Sequence, residues 1–236
     1  MTASQEDIVP LILAGGKGTR IASLFPGIPK PAIPVAGKPF LAWILSQLHH
    51  AGFHKVVVSG GHLFAVLKEK ISPHIPADME VIWVQEKTPL GTGGGVIYAV
   101  ANSGLHPKHW LAMNGDSYLC GNWASKARPR GHGDACLVAR KVEETGRFGR
   151  LEVVEGALRK FQEKQGGGPG LINAGIYFFP HVWLNKEVSG QPKSVETNLI
   201  PGWIASGKKI YVTVMDTPFL DIGTPDDFQK AESFFQ

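Results

Sequence analysis

The chain has 236 residues, 43% hydrophobic and 19% charged, which is typical of a folded globular protein and excludes a disordered or fibrous class. Its formal charge of +4 is scattered without a run of five basic residues, which argues against nucleic acid as a partner and suits a small phosphorylated ligand. Cys120 and Cys136 are too few for a disulfide framework or a CxxC metal site, so we expect a cytoplasmic location. The short N-terminal apolar run follows acidic residues, so neither a signal peptide nor a membrane partner is expected.

The first half of the chain alternates predicted strands with predicted helices. A continuous apolar run predicts a buried strand at residues 8–13, which ends at the glycines of AGGKGTR. Further strands are predicted at residues 55–59, 80–84 and 110–113, with helices at 40–48, at 63–71 and after GTGGG through Val100. This βαβ order predicts an α/β fold with a Rossmann-like, doubly wound, mostly parallel sheet whose ligand lies beyond the carboxyl ends of the strands.

The second half is richer in strands. They are predicted at residues 135–140, 150–154, 158–163 and 172–179, followed by a helix at 196–205, a strand pair leading to Asp221 and a helix starting at Thr224. We expect these strands to extend the first sheet and to form a lid over a second substrate. The expected organisation is one domain over residues 1–236, with a first part at about 8–120 and a second at about 121–236.

Two segments have the composition of a phosphate site. AGGKGTR, directly after a buried strand, lets the backbone approach an anion closely and places Lys17 and Arg20 beside it. Prolines on both sides of Lys30 stiffen the backbone that carries this lysine. AGGKGTR alone fits a tight glycine turn equally well. It lacks the ending of a P-loop, and Ile21 occupies the third glycine position of a dinucleotide motif, which disfavours an NAD-dependent oxidoreductase.

Asp116 and Asp221 each follow an apolar run, in MNGDS and PFLDIGT. Carboxylate oxygens are ligands that Mg²⁺ accepts together with substrate phosphate oxygens. Each aspartate alone fits a turn or helix cap as well. Combined with a phosphate loop, the pair predicts a Mg²⁺ site.

The nine histidines predict no metal site. His50 and His54 have the i, i+4 spacing of a helix face, but Gly52 interrupts the pattern and no carboxylate completes a ligand set. We therefore expect these histidines to be surface or helix-end residues.

Taken in order, seven segments resemble the sugar-1-phosphate nucleotidyltransferase family: LILAGGKGTR, PKPAIPVAGKPFL, PLGTGG, NGDS, FQEK, GLINAGIYFF and FLDIGTPDDF. Two of them, GPGLINAGIYFF and FLDIGTPDDF, are most similar to D-glycero-α-D-manno-heptose 1-phosphate guanylyltransferases. Mannose-1-phosphate guanylyltransferases and muramic acid 1-phosphate uridylyltransferases share much of the pattern. The resemblance implies a GT-A-like nucleotidyltransferase fold and a Mg²⁺-dependent reaction that joins a sugar 1-phosphate to a nucleoside triphosphate and releases pyrophosphate.

The resemblance also implies roles for individual residues. The nucleotide would be bound by Leu13, Ala14, Gly15, Gly16, Gly18, Thr19, Glu86, Gly91 and Thr92. Catalysis would depend on Arg20, Lys30, Asp116 and Asp221, of which Asp116 and Asp221 would bind Mg²⁺. The sugar phosphate would be bound by Gly149, Glu163, Lys164 and Asn173.

Glu86 carries the prediction of the base. A carboxylate only accepts hydrogen bonds, and guanine presents two adjacent N–H donors, whereas uracil and thymine present one N–H between two carbonyls. Glu86 therefore favours GTP, unless Glu86 points to solvent and Gln85 or the backbone reads the base. A catalytically silent, nucleotide-sugar-binding regulatory subunit is the alternative from another class of protein. The oligomeric state is open, with a homo-oligomer among the alternatives.

Overall fold

The alternation of strands and helices expected for the first half is present in the computed structural model, which describes residues 5–131, 133–146, 150–162 and 167–235. Its strands are β1 (Ile8–Ala14), β2 (Pro34–Val35), β3 (Lys38–Pro39), β4 (Lys55–Gly60), β5 (Glu80–Gln85), β6 (His109–Asn114), β7 (Ser117–Leu119), β8 (Ala135–Val142), β9 (Arg150–Val154), β10 (Ala157–Gln162), β11 (Gly170–Pro180), β12 (Ile210–Met215) and β13 (Phe219–Asp221). Its α-helices are α1 (Phe40–His50), α2 (Phe64–Ile71), α3 (Gly91–Asn102), α4 (Trp123–Lys126), α5 (His181–Leu184), α6 (Ile200–Ala205) and α7 (Pro225–Phe234).

One sheet runs through both halves of the chain, in the order β5-β4-β1-β6-β11-β8-β12-β10-β9. The strands from the first half pair in parallel, β4 with β5 and β1 with both β4 and β6. The strands from the second half extend this sheet, as predicted, and the α/β fold class is confirmed. β11 is antiparallel to β6 and β8, and β10 is antiparallel to β9 and β12, so the whole sheet is mixed and its parallel core lies in the first half.

Hydrophobic side chains cover both faces of the sheet, which explains why β1 reads as an unbroken apolar run. On one face, Ile12 belongs to a cluster with Phe40 and Ile44 of α1. On the other face, Leu11 belongs to a cluster with Val96 of α3 and Trp203 of α6. Within the described ranges, the helices are too short or too polar to cross a membrane.

The glycines of GTGGG form the start of α3, although the sequence predicted a helix only after them. A Cβ at Gly93 would lie 2.9 Å from the Ser194 carbonyl carbon, and a Cβ at Gly94 would lie 2.5 Å from the Gln191 oxygen. The backbone N–H groups of Gly93 and Gly94 both donate to the Lys193 carbonyl. These glycines are therefore helical because a neighbouring segment packs against them, which overrides their low helix propensity.

An irregularity in β11 also shapes the ligand side of the sheet. The register of β11 with β8 shifts between Asn173 and Tyr177, and Gly175 within this stretch has φ of +70°. A Cβ at Gly175 would lie 2.6 Å from Asn114 Nδ2 at the end of β6. At this β-bulge glycine is required both because the backbone has a positive φ and because Asn114 leaves no room for a Cβ.

Candidate active site

A pocket of about 300 Å³ opens at the carboxyl ends of β1, β5 and β6 and at the start of α3, where the strand order predicted a ligand. It is lined by Leu13, Gly15, Gly16, Lys17, Glu86, Pro89, Leu90, Gly91, Thr92, Asn114 and Asp116. Seven of the predicted site residues therefore share one cavity: Leu13, Gly15, Gly16, Glu86, Gly91, Thr92 and Asp116.

The glycine loop, residues 14–20, lies close to the side chains of Glu86 and Lys30. A Cβ at Gly15 would lie 3.0 Å from Glu86 Oε1, and a Cβ at Gly18 would lie 3.0 Å from the Lys30 Cβ. Gly18 also has φ of +58°, a conformation that glycine adopts at little cost. Ala14 is buried within β1, whereas Thr19 and Arg20 are exposed beyond the pocket lining.

Lys30 is directed at both predicted metal-binding aspartates. It begins a short 3₁₀ turn after Pro29, whose backbone is extended. Its side chain is only 13% exposed, and its Nζ donates to Asp116 Oδ2 at 2.7 Å. Asp221 Oδ1 lies 3.8 Å from the same Nζ. The predicted lysine and the two predicted carboxylates therefore form one cluster.

Backbone pairing between β7 and β13 brings the two aspartates together. Asp221 lies opposite Ser117 in this antiparallel pair, and the Ile222 N–H donates to the Asp116 carbonyl at 3.1 Å. Burial and the neighbouring Asp116 carboxylate raise the pKa of Asp221 to about 6, while Lys30 and the backbone at Gly223 oppose the rise. Burial and the repulsion from Asp116 therefore outweigh the attraction of Lys30 at Asp221.

The aspartate pair fits a magnesium ion on these observations. Two mutually repelling carboxylates share one ammonium group, which leaves excess negative charge for a cation to neutralise. Carboxylate oxygens are also the ligand type that Mg²⁺ accepts beside substrate phosphates. Asp116 and Asp221 are thus the groups that could hold Mg²⁺ here.

Glu86 is buried against the pocket and does not point to solvent. The residue is 8% exposed, and Glu86 Oε1 accepts a hydrogen bond from Ser59 Oγ at 2.9 Å. Burial raises the pKa of the Glu86 carboxyl, an effect that the hydrogen bonds from Ser59 and the Leu90 backbone oppose. The carboxyl also lies close to α3, since a Cβ at Gly95 would be 2.9 Å from Oε1.

A partly buried hydrogen-bond network joins the pocket to β11. The Thr92 hydroxyl donates to Glu196 Oε2 at 3.1 Å, and Glu196 Oε1 accepts from the Tyr177 hydroxyl at 2.7 Å. The side-chain amide of Asn173 donates to the same hydroxyl, and Asn173 Oδ1 accepts from the Gly175 N–H. Asn173 lies outside the pocket lining but is connected to it through this network. The other predicted sugar-phosphate residues, Gly149, Glu163 and Lys164, lie outside the described residues.

Sequence reasoning missed Ser59, Asn114, Tyr177 and Glu196. Ser59 and Asn114 stand at the carboxyl ends of apolar strands, the same signal that singled out Asp116, and could have been found by it. Tyr177 and Glu196 had no such signal, because only the three-dimensional fold brings them to Thr92 and Asn173.

Comparison with known proteins identifies the family. Residues 9–236 match the family described as "Nucleotidyl transferase". The chain is 32% identical over 99% of its length to a mannose-1-phosphate guanylyltransferase of Mycobacterium tuberculosis, of which it spans 65%. It is 31% identical over 92% of its length to a D-glycero-alpha-D-manno-heptose 1-phosphate guanylyltransferase of Campylobacter jejuni, of which it spans 96%.

The solved structures agree with this assignment. HddC from Yersinia pseudotuberculosis superposes with a TM-score of 0.83 at 26% identity, covering 96% of this chain and 99% of HddC. A second structure of HddC, complexed with GMP-PN, gives a TM-score of 0.82 with the same identity and coverage. An inositol-1-phosphate CTP transferase of T. maritima shares the fold at 16% identity, with a TM-score of 0.81 over 96% of this chain and 93% of that one. With the glycine loop, Lys30 and the two aspartates gathered at one pocket, the chain belongs to the sugar-1-phosphate nucleotidyltransferases of the nucleotidyl transferase family.

Proposed function

We propose that this protein transfers GMP from GTP to D-glycero-α-D-manno-heptose 1-phosphate, giving a GDP-sugar and pyrophosphate. The observation that carries the choice of GTP is the buried carboxylate of Glu86, which lines the pocket beside the glycine loop. An acceptor-only group matches the adjacent N1–H and N2–H donors of guanine. The heptose is supported by the Campylobacter relative, which this chain matches over 96% of that protein's length.

The reaction needs positioning more than proton transfer. A phosphate oxygen of the sugar phosphate attacks the α-phosphorus of GTP, the bond from the α-phosphorus to the bridging oxygen breaks, and pyrophosphate leaves. A phosphate monoester has a second pKa of about 6, so the attacking group is already largely dianionic near neutral pH and needs no strong general base. Lys30, aided by Lys17 at the pocket wall and by Arg20, binds and neutralises the nucleotide phosphates.

Asp116 and Asp221 would hold Mg²⁺, which supplies charge neutralisation at the phosphates when bound. The glycine loop, with Gly15, Gly16, Gly18 and Thr19, carries the nucleotide on its backbone beside Ala14 and Leu13. Gly91 and Thr92 close the base side of the pocket. On the sugar side, we assign Asn173 together with Gly149, Glu163 and Lys164 to the sugar phosphate.

A matrix of GTP, UTP, dTTP and ATP against several sugar 1-phosphates, read by pyrophosphate release with Mg²⁺, tests the proposal. The sugar panel contains heptose and mannose 1-phosphates, because the mycobacterial relative is named for mannose 1-phosphate. We expect the highest kcat/KM with GTP and heptose 1-phosphate. Equal or better turnover with UTP, dTTP or ATP contradicts the guanine assignment, and a preference for mannose 1-phosphate replaces the heptose. The absence of pyrophosphate release in every combination would favour the silent regulatory subunit.

A further inference from the structure

Two imidazoles and one carboxylate meet at the amino ends of β4 and β5, the opposite edge of the sheet from the pocket. His49 Nε2 lies 2.7 Å from Asp78 Oδ1, and His54 Nδ1 lies 3.0 Å from Asp78 Oδ2. The three side chains each offer one ligand atom, and these atoms all lie within 4.8 Å of one another. The sequence offered no carboxylate partner for His50 and His54, whereas the structure brings Asp78 to His54 and to His49, with His50 outside the cluster. The expectation that His50 and His54 are surface or helix-end residues is confirmed.

The backbone that carries these three side chains is anchored. Gly52, with φ of +84°, donates its N–H to the His49 carbonyl at 2.8 Å and turns the chain from the end of α1 toward β4. The Glu80 N–H donates to the His54 carbonyl at 2.8 Å, which ties the segment of Asp78 to that of His54. Met79, next to Asp78, is 6% exposed. The backbone positions of the three residues are thus fixed by the fold without an ion.

The donor set selects the type of ion. Two imidazole nitrogens and one carboxylate are a ligand combination found at zinc sites that keep a fourth position open for water. Ligand atoms about 2.0–2.2 Å from a tetrahedral zinc ion lie about 3.3–3.5 Å apart, so the two nitrogen–oxygen distances here need to widen by less than about 1 Å. Mg²⁺ prefers oxygen ligands, so this cluster differs in kind from Asp116 and Asp221.

We propose that His49, His54 and Asp78 bind a zinc-class divalent cation at the surface of the protein. The ion would join the end of α1 to the starts of β4 and β5. The three side chains are 29%, 58% and 63% exposed, so the ion can enter from solvent without opening the core. The proposal does not depend on the nucleotidyltransferase reaction.

Calorimetric titration of ZnCl₂ into the full chain, stripped with EDTA and then supplied with excess Mg²⁺, tests the proposal. We expect binding of one zinc equivalent that weakens at least tenfold in His49→Ala and in His54→Ala. Asp78→Asn, which keeps the shape of the side chain, should weaken it similarly. His50→Ala is the matched control on the same helix, because the His50 ring is engaged with the Ser46 carbonyl and stands outside the cluster.

A second readout separates this cluster from the aspartate pair. Zinc should raise the melting temperature of wild type and of Asp221→Asn, and should not raise that of His49→Ala, since a ligand stabilises only the folded state that binds it. Far-UV circular dichroism verifies that each variant is folded. The proposal is overturned if folded His49→Ala binds zinc like wild type, or if Asp221→Asn abolishes the zinc binding.

Discussion

Lys30 contacts two carboxylates that repel each other, and this repulsion raises the pKa of Asp221. Its pKa of about 6 exceeds the ordinary 3.8, mainly because of burial and then because of Asp116. Between these two values the folded state binds more protons than the unfolded state, so folding stability falls as the pH rises through this window. Above about pH 6, the ionised Asp221 destabilises the ion-free protein relative to a neutral side chain.

Asp221→Asn should therefore separate stability from activity. We expect a melting temperature at pH 7.5, without Mg²⁺, equal to or above that of wild type, because the variant lacks the unfavourable charge. Turnover should fall by orders of magnitude, since an amide is a poor partner for Mg²⁺. Thermal melts and pyrophosphate release measure the two effects. Asp116→Asn should lose turnover as well, and near-normal turnover of both variants at limiting Mg²⁺ contradicts the two-aspartate site.

Glu86→Gln tests how the base is read. The substitution replaces an acceptor by a group with one accepting and one donating end, which leaves a guanine donor poorly matched. A lost charge-assisted hydrogen bond corresponds to about 1.5–3 kcal/mol, or roughly ten- to a hundredfold in kcat/KM for GTP relative to UTP. Glu80→Gln is the control, because Glu80 is an exposed residue at the start of β5, the strand that directly precedes Glu86. An unchanged ratio of GTP to UTP in Glu86→Gln contradicts the assignment.

Among the secondary-structure elements, α3 shapes the pocket through the glycines of its first turns. Gly91 has φ of +69°, and a Cβ at this position would lie 2.6 Å from the Lys193 carbonyl oxygen. Gly95, which also belongs to α3, faces the Glu86 carboxyl. The missing side chains at these positions give the room that the Glu86 carboxyl and the segment around Lys193 occupy.

Gly95→Ala should impair nucleotide binding although alanine favours helices. The added Cβ would lie 2.9 Å from Glu86 Oε1 and must displace the carboxyl from Ser59. We expect a higher KM for GTP and a stability gain smaller than the approximately 1 kcal/mol typical of glycine-to-alanine changes in helices. Gly202→Ala in α6, where a Cβ has no neighbour within 4 Å, should show the gain without the change in KM. A wild-type KM in Gly95→Ala would indicate that Glu86 tolerates displacement.

The predicted elements and the observed ones differ where packing overrides local preference. Apolar runs bounded by Gly or Pro were sufficient to predict β1, α1, β4 and β6. The Thr-Pro-Asp-Asp segment correctly predicted the start of α7, where the Thr224 hydroxyl accepts a hydrogen bond from the Asp227 N–H. The helical start at GTGGG was not predictable, because glycine disfavours helices and its partners lie a hundred residues away near Lys193. The pairing of β7 with β13 was equally hidden, although both aspartates it joins were identified.

At the level of the whole molecule, the network from Thr92 through Glu196 and Tyr177 to Asn173 connects the two halves of the chain. Tyr177 is fully buried, and its hydroxyl is shared by Glu196 and Asn173. The pKa of this hydroxyl is raised well above its ordinary value, chiefly by burial and then by the charge of Glu196, so the hydroxyl is protonated and remains a donor at neutral pH. Ionisation of Tyr177 therefore does not break this network near neutral pH.

Tyr177→Phe should destabilise the fold, because it removes a buried hydroxyl that donates to the half-buried Glu196 carboxylate and accepts from the Asn173 amide. We expect the free energy of unfolding to fall by about 1–3 kcal/mol, measured by urea denaturation. Tyr98→Phe, which removes the hydroxyl of a partly exposed tyrosine in α3, should change it far less. Equal effects of the two substitutions would show that the Tyr177 hydroxyl has no special structural role.

The bulge in β11 restricts which substitutions this protein can accept during evolution. A side chain at Gly175 would need the left-handed backbone conformation and would collide with the Asn114 amide, which lines the pocket. Replacement of Gly175 alone is therefore disfavoured, whereas a smaller residue at position 114 would remove the steric part of this penalty. Positions 114 and 175 should covary among relatives that keep this bulge, although they lie 61 positions apart in the chain. By contrast, Gly16 faces open space and should accept substitutions sterically, so that only ligand binding constrains it.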